Sequence, residues 1–263
     1  MIGQQDLINI IDRDIESDNL ARFTIIIGEW GSEKKEVAEH IADKLNANCV
    51  LVPELKVDTI RTIIQESYKV ITPTVYILWD ADNISVQAQN ALLKVTEEPP
   101  NKAYFVMTLE DEANTLPTIR SRGNIYHCDF YTAAELMNYA EVKYHGVEYC
   151  TLCSTPGEVD LLHVEGPQQF YEYVKKVYDN ITEVSSANCF KIADKIRFKN
   201  TDEGFDLQLF WKLFQLIAFE NSNYERLKIT STYLTRLHIK SINRAMLFDQ
   251  WILSIRKLGD GDN

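Results

Sequence analysis

An α/β core built on a parallel sheet, followed by an all-helical region, is the fold class this sequence predicts. Two patterns carry that reading. Through the first half, short apolar runs alternate with stretches whose apolar residues recur at helical spacing. Runs that are apolar at nearly every position suit strands buried on both faces, as in a parallel sheet covered by helices. From Thr132 onward the strand-like runs stop and amphipathic stretches follow one another. The composition, 45% hydrophobic and 25% charged over 263 residues, is that of an ordinary folded chain with room for two or three small domains.

The first strand is "FTIIIG" (23–28), ending in glycine, and a helix follows in which Val37, Ala38, Ile41, Ala42 and Leu45 share a face. "CVLVPEL" (49–55) reads as a short strand, and "VDTIRTIIQESYKV" as a helix with Val57, Ile60, Ile63 and Ile64 on one side. "TVYILWDAD" (74–82) is a strongly apolar strand ending in acids. The helix from Ser85 to Thr96 aligns Ala88, Ala91, Leu92 and Val95 and is stopped by Pro99-Pro100. "KAYFVMTL" (102–109) and "NIYHCDF" (124–130) complete the strands. Helices at 132–143 and near 157–165 come next, and Gly166-Pro167 reads as a boundary. Beyond it lie "QQFYEYVKKVYDNI", "DLQLFWKLFQLIAF" and a long tract from Asn223 to Leu258. The expected domains are an α/β core at 1–130, a small helical lid at 131–166, and a helical C-terminal domain at 167–263.

A formal charge of −12 argues against a chain that grips nucleic acid by itself, because phosphate binding is driven by Lys and Arg. The last tract nevertheless carries a basic stripe (226, 228, 236, 240, 244, 256, 257) that reads as a solvated helix face or a partner surface. Five cysteines, at 49, 128, 150, 153 and 189, are an odd number set mostly in apolar runs, and reduced buried thiols are expected. Cys150-x-x-Cys153 has no second pair at zinc-ligand spacing, so no metal is assigned. The start "MIGQQDLINIIDRDIESD" lacks the basic-then-apolar order of a signal peptide, and "LFWKLFQLIAF" is too short for a membrane span. A soluble cytoplasmic protein is expected.

"GEWGSEKK" (28–35) has the spacing of a phosphate-binding loop, G-x-x-x-x-G-K-[ST], between a strand and a helix. Gly28, Gly31 and Lys34 stand where such a loop would use them, but Glu33 replaces the second glycine and Lys35 the magnesium-holding hydroxyl. Asp80, at the end of "VYILWD", is placed to hold magnesium, and Thr108, at the end of another strand, to report on a γ-phosphate. Together they describe a degenerate nucleotide site, either empty or holding ATP with Mg2+. Trp30 and Trp79 flank it and could fill the space of a nucleotide.

The stretch "VYILWDADNISVQAQNALLKVTEEPP…AYFVMTLE…LPTIRSRG" (75–123) closely resembles the clamp-loader AAA+ ATPases of bacterial DNA polymerase III, the delta-prime and gamma/tau subunits. "IGQQDLINII", "VDTIRTI" and the C-terminal "NRAMLFDQWILSI" fit the same family. The resemblance implies an AAA+, P-loop NTPase-like core, a helical lid and an all-α collar for oligomerisation. It also implies an ATP shared between neighbours, with Arg122 of "SRG" as an arginine finger acting in trans. Such a finger accounts for ~10³–10⁵ in rate.

Four features depart from an active member: Glu33, Lys35, Asp80-Ala81 where an Asp-Glu pair would polarise water, and "CSTPGEVDLL", which shows Glu158 and Val159 where an arginine is expected nearby. Asp82 lies one step beyond the acid pair. The implied role is a non-catalytic delta-prime-like subunit without ATPase activity of its own. Its partners would be other loader subunits and, through them, the sliding clamp and primed DNA, with no membrane. Two alternatives stay open: an active gamma-like ATPase, and an interaction protein built on an inactive AAA+ domain.

Overall fold

A computed structural model describes residues 2–52, 54–182, 195–197, 204–237, 239 and 242–258. Five parallel strands form one sheet: β1 (Phe23–Ile27), β2 (Asn48–Val52), β3 (Thr74–Leu78), β4 (Ala103–Leu109) and β5 (Asn124–His127). Their spatial order is β2-β3-β4-β1-β5. The helices between them are α2 (Lys34–Lys44), α3 (Val57–Ser67), α4 (Val86–Glu97) and the single turn α5 (Pro117–Arg120).

Successive side chains on a strand point to opposite faces, so two cores form from alternate residues. Phe23, Ile25 and Ile27 of β1, with Tyr76, Leu78, Phe105 and Met107, pack against Ile60, Ile64, Leu92 and Val95 from α3 and α4. Ile26, Val75, Ile77 and Val106 face the other way, onto Val37, Ala38 and Ile41 of α2 and onto Leu7, Ile8 and Ile11. Those last three belong to α1 (Gln5–Glu16), a helix the strand-and-helix reading did not anticipate. Its signal was present as apolar residues at helical spacing from Leu7 to Ile15.

Each expected strand is found, and β2, β3 and β5 end three to four residues short of the expected bounds. β2 stops at Val52, and four of its five residues are exposed because it is the sheet edge. β5 stops at His127; Cys128 N still donates to Ile27 O at 2.7 Å, and Asp129 N then turns to Gln4 Oε1 at 2.8 Å. Cys49, on β2, is exposed and departs from the expectation of buried thiols; Cys150 and Cys153 are buried, and Cys189 lies outside the described residues.

Helices α6 (Ala133–Tyr144), α7 (Pro156–Glu165) and α8 (Pro167–Asn180) follow, then α9 (Leu207–Glu220), α10 (Tyr224–Arg236) and α11 (Arg244–Arg256). Two-residue strands at Ile196–Arg197 and Phe205–Asp206 pair with each other. The tract from Asn223 to Leu258 is thus two helices, each opened by an asparagine whose side chain accepts a backbone N–H: Asn223 from Arg226 and Asn243 from Met246. Arg226 of the basic stripe is internal, donating to Tyr178 O at 2.6 Å and lying 4.5 Å from the Tyr178 ring centre, while Lys240 falls outside the described residues.

By contacts the chain divides into two compact units, one of residues 1–135 with 154–157 and one of 136–153 with 158–263. The second is centred on Phe210, Trp211, Phe214, Phe248 and Trp251, all fully buried. No helix among the described residues is long and apolar enough to cross a membrane.

Candidate nucleotide-loop and arginine site

β1 runs straight into the loop. Gly28 N donates to Leu109 O at 3.0 Å, extending the β1–β4 ladder by one residue. A Cβ on Gly28 would stand 2.5 Å from Ser32 Oγ and 2.8 Å from Cys128 Cβ, so only glycine fits. Ser32 turns back on the loop, its hydroxyl donating to Glu29 O at 2.8 Å. Gly31 has φ +77°, and a Cβ there would lie 2.7 Å from Gly157 Cα. The two glycines touch backbone to backbone, with Gly157 N donating to Gly31 O at 3.0 Å.

Glu33 takes a left-handed conformation (φ 59°) at the N-cap of α2, and its carboxylate accepts from Ile2 N at 3.0 Å. Non-glycine residues visit that region at a cost of about 1–2 kcal/mol. Lys34 is buried, and its ammonium donates to Gly28 O and Glu29 O, both at 2.7 Å. Burial pushes its pKa down, and the negative charges of Glu110, Asp82 and Asp80 oppose that shift. Lys35 points along the helix surface to Glu39, 3.3 Å away. Trp30 is 48% exposed, so it does not fill a nucleotide's space as expected.

Asp80 follows β3 in a left-handed conformation (φ 54°) with an exposed side chain, and its N–H donates to the hydroxyl of buried Thr108 at 3.0 Å. Lys34, Asp80 and Thr108 therefore gather at the carboxyl edge of the sheet, the usual ligand edge of such folds. Asp82, a conceivable stand-in for the missing acid, has another task. A single 3-10 turn at Ala81–Asn83 carries its carboxylate to Glu110 N (2.9 Å), Asp111 N (3.2 Å) and Asn114 Nδ2 (2.6 Å).

Arg122 stands apart from this loop, just after α5. One of its terminal nitrogens donates to Thr118 O at 2.7 Å, and the other lies 2.9 Å from Glu97 Oε1, at the last residue of α4. Gln89, earlier on α4 and 3% exposed, accepts from Leu116 N at 2.7 Å and donates to Asn114 O at 2.9 Å. Neither Glu97 nor Gln89 was singled out from sequence. In the helix pattern they are polar residues among apolar ones, which periodicity reads as surface.

Glu158, at the place where an arginine was expected nearby, is almost fully buried. Its carboxylate takes Lys212 Nζ at 2.8 and 3.1 Å and Gln208 Nε2 at 2.8 Å, both from α9. Two residues on, Asp160 gathers Tyr139 OH (2.8 Å), Tyr144 OH (2.9 Å) and Lys143 Nζ (2.8 Å), fastening α7 to α6.

A five-stranded parallel sheet in this order, with a phosphate-loop position after β1 and helices after the sheet, defines the AAA+ class of P-loop folds. Two solved structures from Thermotoga maritima share it. A DNA polymerase III gamma subunit-related protein is 17% identical, covers 96% of this chain and 99% of its own, and gives a TM-score of 0.51. A point mutant of RuvB is 15% identical, with 95% and 82% covered and a TM-score of 0.51. Over residues 47–130 the chain matches the family model described as DNA polymerase III, delta subunit.

It is also distantly related to gamma and gamma/tau subunits. The DNA polymerase III subunit gamma of Buchnera aphidicola subsp. Schizaphis graminum is 25% identical over 171 residues, 53% of this chain and 47% of that protein. The gamma/tau subunit of Mycobacterium tuberculosis is 40% identical over 52 residues, 20% of this chain and 9% of that one. The chain therefore spans about half the length of the Buchnera relative and a small part of the mycobacterial one.

Proposed function

We propose that this chain is a non-catalytic, delta-prime-like subunit of a replicative clamp loader, helping to load a sliding clamp onto primed DNA and lending Arg122 to a neighbour's ATP. The match of residues 47–130 to the DNA polymerase III delta subunit family model, and the likeness to gamma subunits, support the setting. The division into a core (1–130), a lid (131–166) and a collar (167–263) belongs to the same proposal.

The observation that carries the inert half is the use made of three consecutive side chains. Glu33 puts a carboxylate in the loop, Lys34 gives its ammonium to the loop's own carbonyls, and Lys35 reaches for Glu39. Phosphate binding needs converging backbone N–H groups and a cation, and magnesium needs an oxygen ligand at position 35. These residues do not make a set for magnesium-bound triphosphate. The donating half keeps its cation: Arg122 is partly exposed.

Calorimetric titration of millimolar Mg-ATP into the full chain tests the inert half. No saturable heat is expected from the natural sequence, and binding is expected to appear in Glu33→Gly/Lys35→Thr. Saturable binding by the natural sequence that disappears in Lys34→Ala would replace this reading with an active, gamma-like one. Affinity capture tests the setting: a tagged chain that retains no other loader subunits leaves an interaction protein on an inactive AAA+ domain.

A further inference from the structure

Arg122 is held from two sides, and the way it is held says more than its exposure does. A guanidinium carries five N–H donors in a rigid fork. Here one terminal nitrogen is fixed to Thr118 O at 2.7 Å and the other to Glu97 Oε1 at 2.9 Å. The two anchors come from different elements, the α5 turn and the C-terminal end of α4, so they set the plane of the fork as well as its position. They use two donors and leave three for another partner. Arg120, two residues earlier, pairs with Glu112 at 3.5 Å, so Glu97 is not shared between the two arginines.

We propose that Glu97 is the positioning residue of Arg122: it holds the guanidinium in the orientation in which its remaining donors meet the triphosphate of a neighbouring subunit. This rests on the reading of Arg122 as an arginine acting in trans. A free arginine side chain loses rotamer freedom when it engages a phosphate, and a guanidinium already ordered loses less. Arg122 and Glu97 are 37% and 53% exposed, so the remaining donors are open to a partner while the pair stays in place.

Glu97→Gln keeps the shape and removes the charge. On the full chain alone, 15N relaxation of Arg122 Nε is expected to show an ordered guanidinium in the natural sequence and a lower order parameter in E97Q, with an unchanged melting temperature. In the complex captured through a tag on this chain, E97Q is expected to lower the kcat of ATP hydrolysis by about 1.5- to 5-fold, the scale of one exposed pair, with KM unchanged. Arg122→Ala is expected to lower kcat far more.

An Arg122 Nε already mobile in the natural sequence overturns the inference. So does a kcat unaffected by E97Q while Arg122→Ala lowers it; in that case the arginine acts in trans and Glu97 does not position it. If Arg122→Ala itself leaves kcat unchanged, the trans reading falls and the inference falls with it.

Discussion

Lys212→Met should strip a buried carboxylate of its cation. Glu158 and Lys212 have side chains only 9% and 13% exposed and sit 2.8 Å apart. At an effective dielectric of ~20 two unit charges at that distance attract by roughly 6 kcal/mol, a gain largely offset by the several kcal/mol needed to dehydrate each ion. The intact pair therefore contributes little net stability. Removing one partner keeps the dehydration cost of the other, and such truncations cost about 3–5 kcal/mol. Gln208 Nε2, at 2.8 Å from Glu158 Oε1, is a neutral donor and offsets only part of this.

The assay is urea unfolding followed by the fluorescence of Trp211 and Trp251, both fully buried, in a background with Trp30→Phe and Trp79→Phe so that only the helical unit reports. With a slope near ~2 kcal/mol/M the midpoint should fall by about 1.5–2.5 M. The double variant Glu158→Leu/Lys212→Met should recover most of that loss, since an apolar pair of similar volume replaces the ions. A shift below about 0.5 M in Lys212→Met would refute the reasoning, because it would mean that water reaches Glu158. A double variant as unstable as the single one would assign the loss to packing rather than to an unpaired charge.

Two further outcomes follow from groups in the α/β unit. Gln89→Leu leaves Leu116 N and Asn114 O without the side chain that joins them; it should destabilise by about 1–3 kcal/mol and raise amide hydrogen exchange at Leu116 specifically. Tyr126, 7% exposed, has its pKa pushed up to about 12 by burial and by its 2.7 Å hydrogen bond to Asp14. Between pH 10 and 12 the folded chain keeps a phenolic proton that the unfolded chain has lost. Stability from this group is therefore complete below pH 10 and falls by at most about 1.4 kcal/mol per pH unit across that window. Tyr126→Phe should be the less pH-sensitive of the two by denaturant titration at pH 9, 10, 11 and 12, and equal slopes would show that the hydroxyl is solvated.

The sheet could be read from sequence because burial on both faces leaves a continuous apolar run, as in "TIII" or "VYIL", and the order of runs and helices then limits the topology. The loop, Asp80 and Thr108 could be placed because they sit at strand ends, where position along the chain converts directly into position in space. What each side chain does there was not legible. Lys34 has the right number and the right neighbours for a phosphate, and only the folded loop brings Gly28 O and Glu29 O to 2.7 Å from its ammonium. Asp82 resembled a spare catalytic acid until the 3-10 turn carried it to three donors about thirty positions away.

Glu158 makes the same point from the other side. By family resemblance it marks the absence of a cation nearby, a statement about loss. Its actual partner is Lys212, 54 positions later, and the side chain that reads as a defect in a nucleotide site is the buried anion joining α7 to α9. A residue type at a strand or helix end thus indicates which chemistry is conceivable, whereas its long-range partner decides whether the residue acts as ligand or strut. By that criterion Lys34, Asp82 and Glu158 are struts, each holding groups of this chain. Arg122, with three donors left over after Glu97 and Thr118, still faces outward.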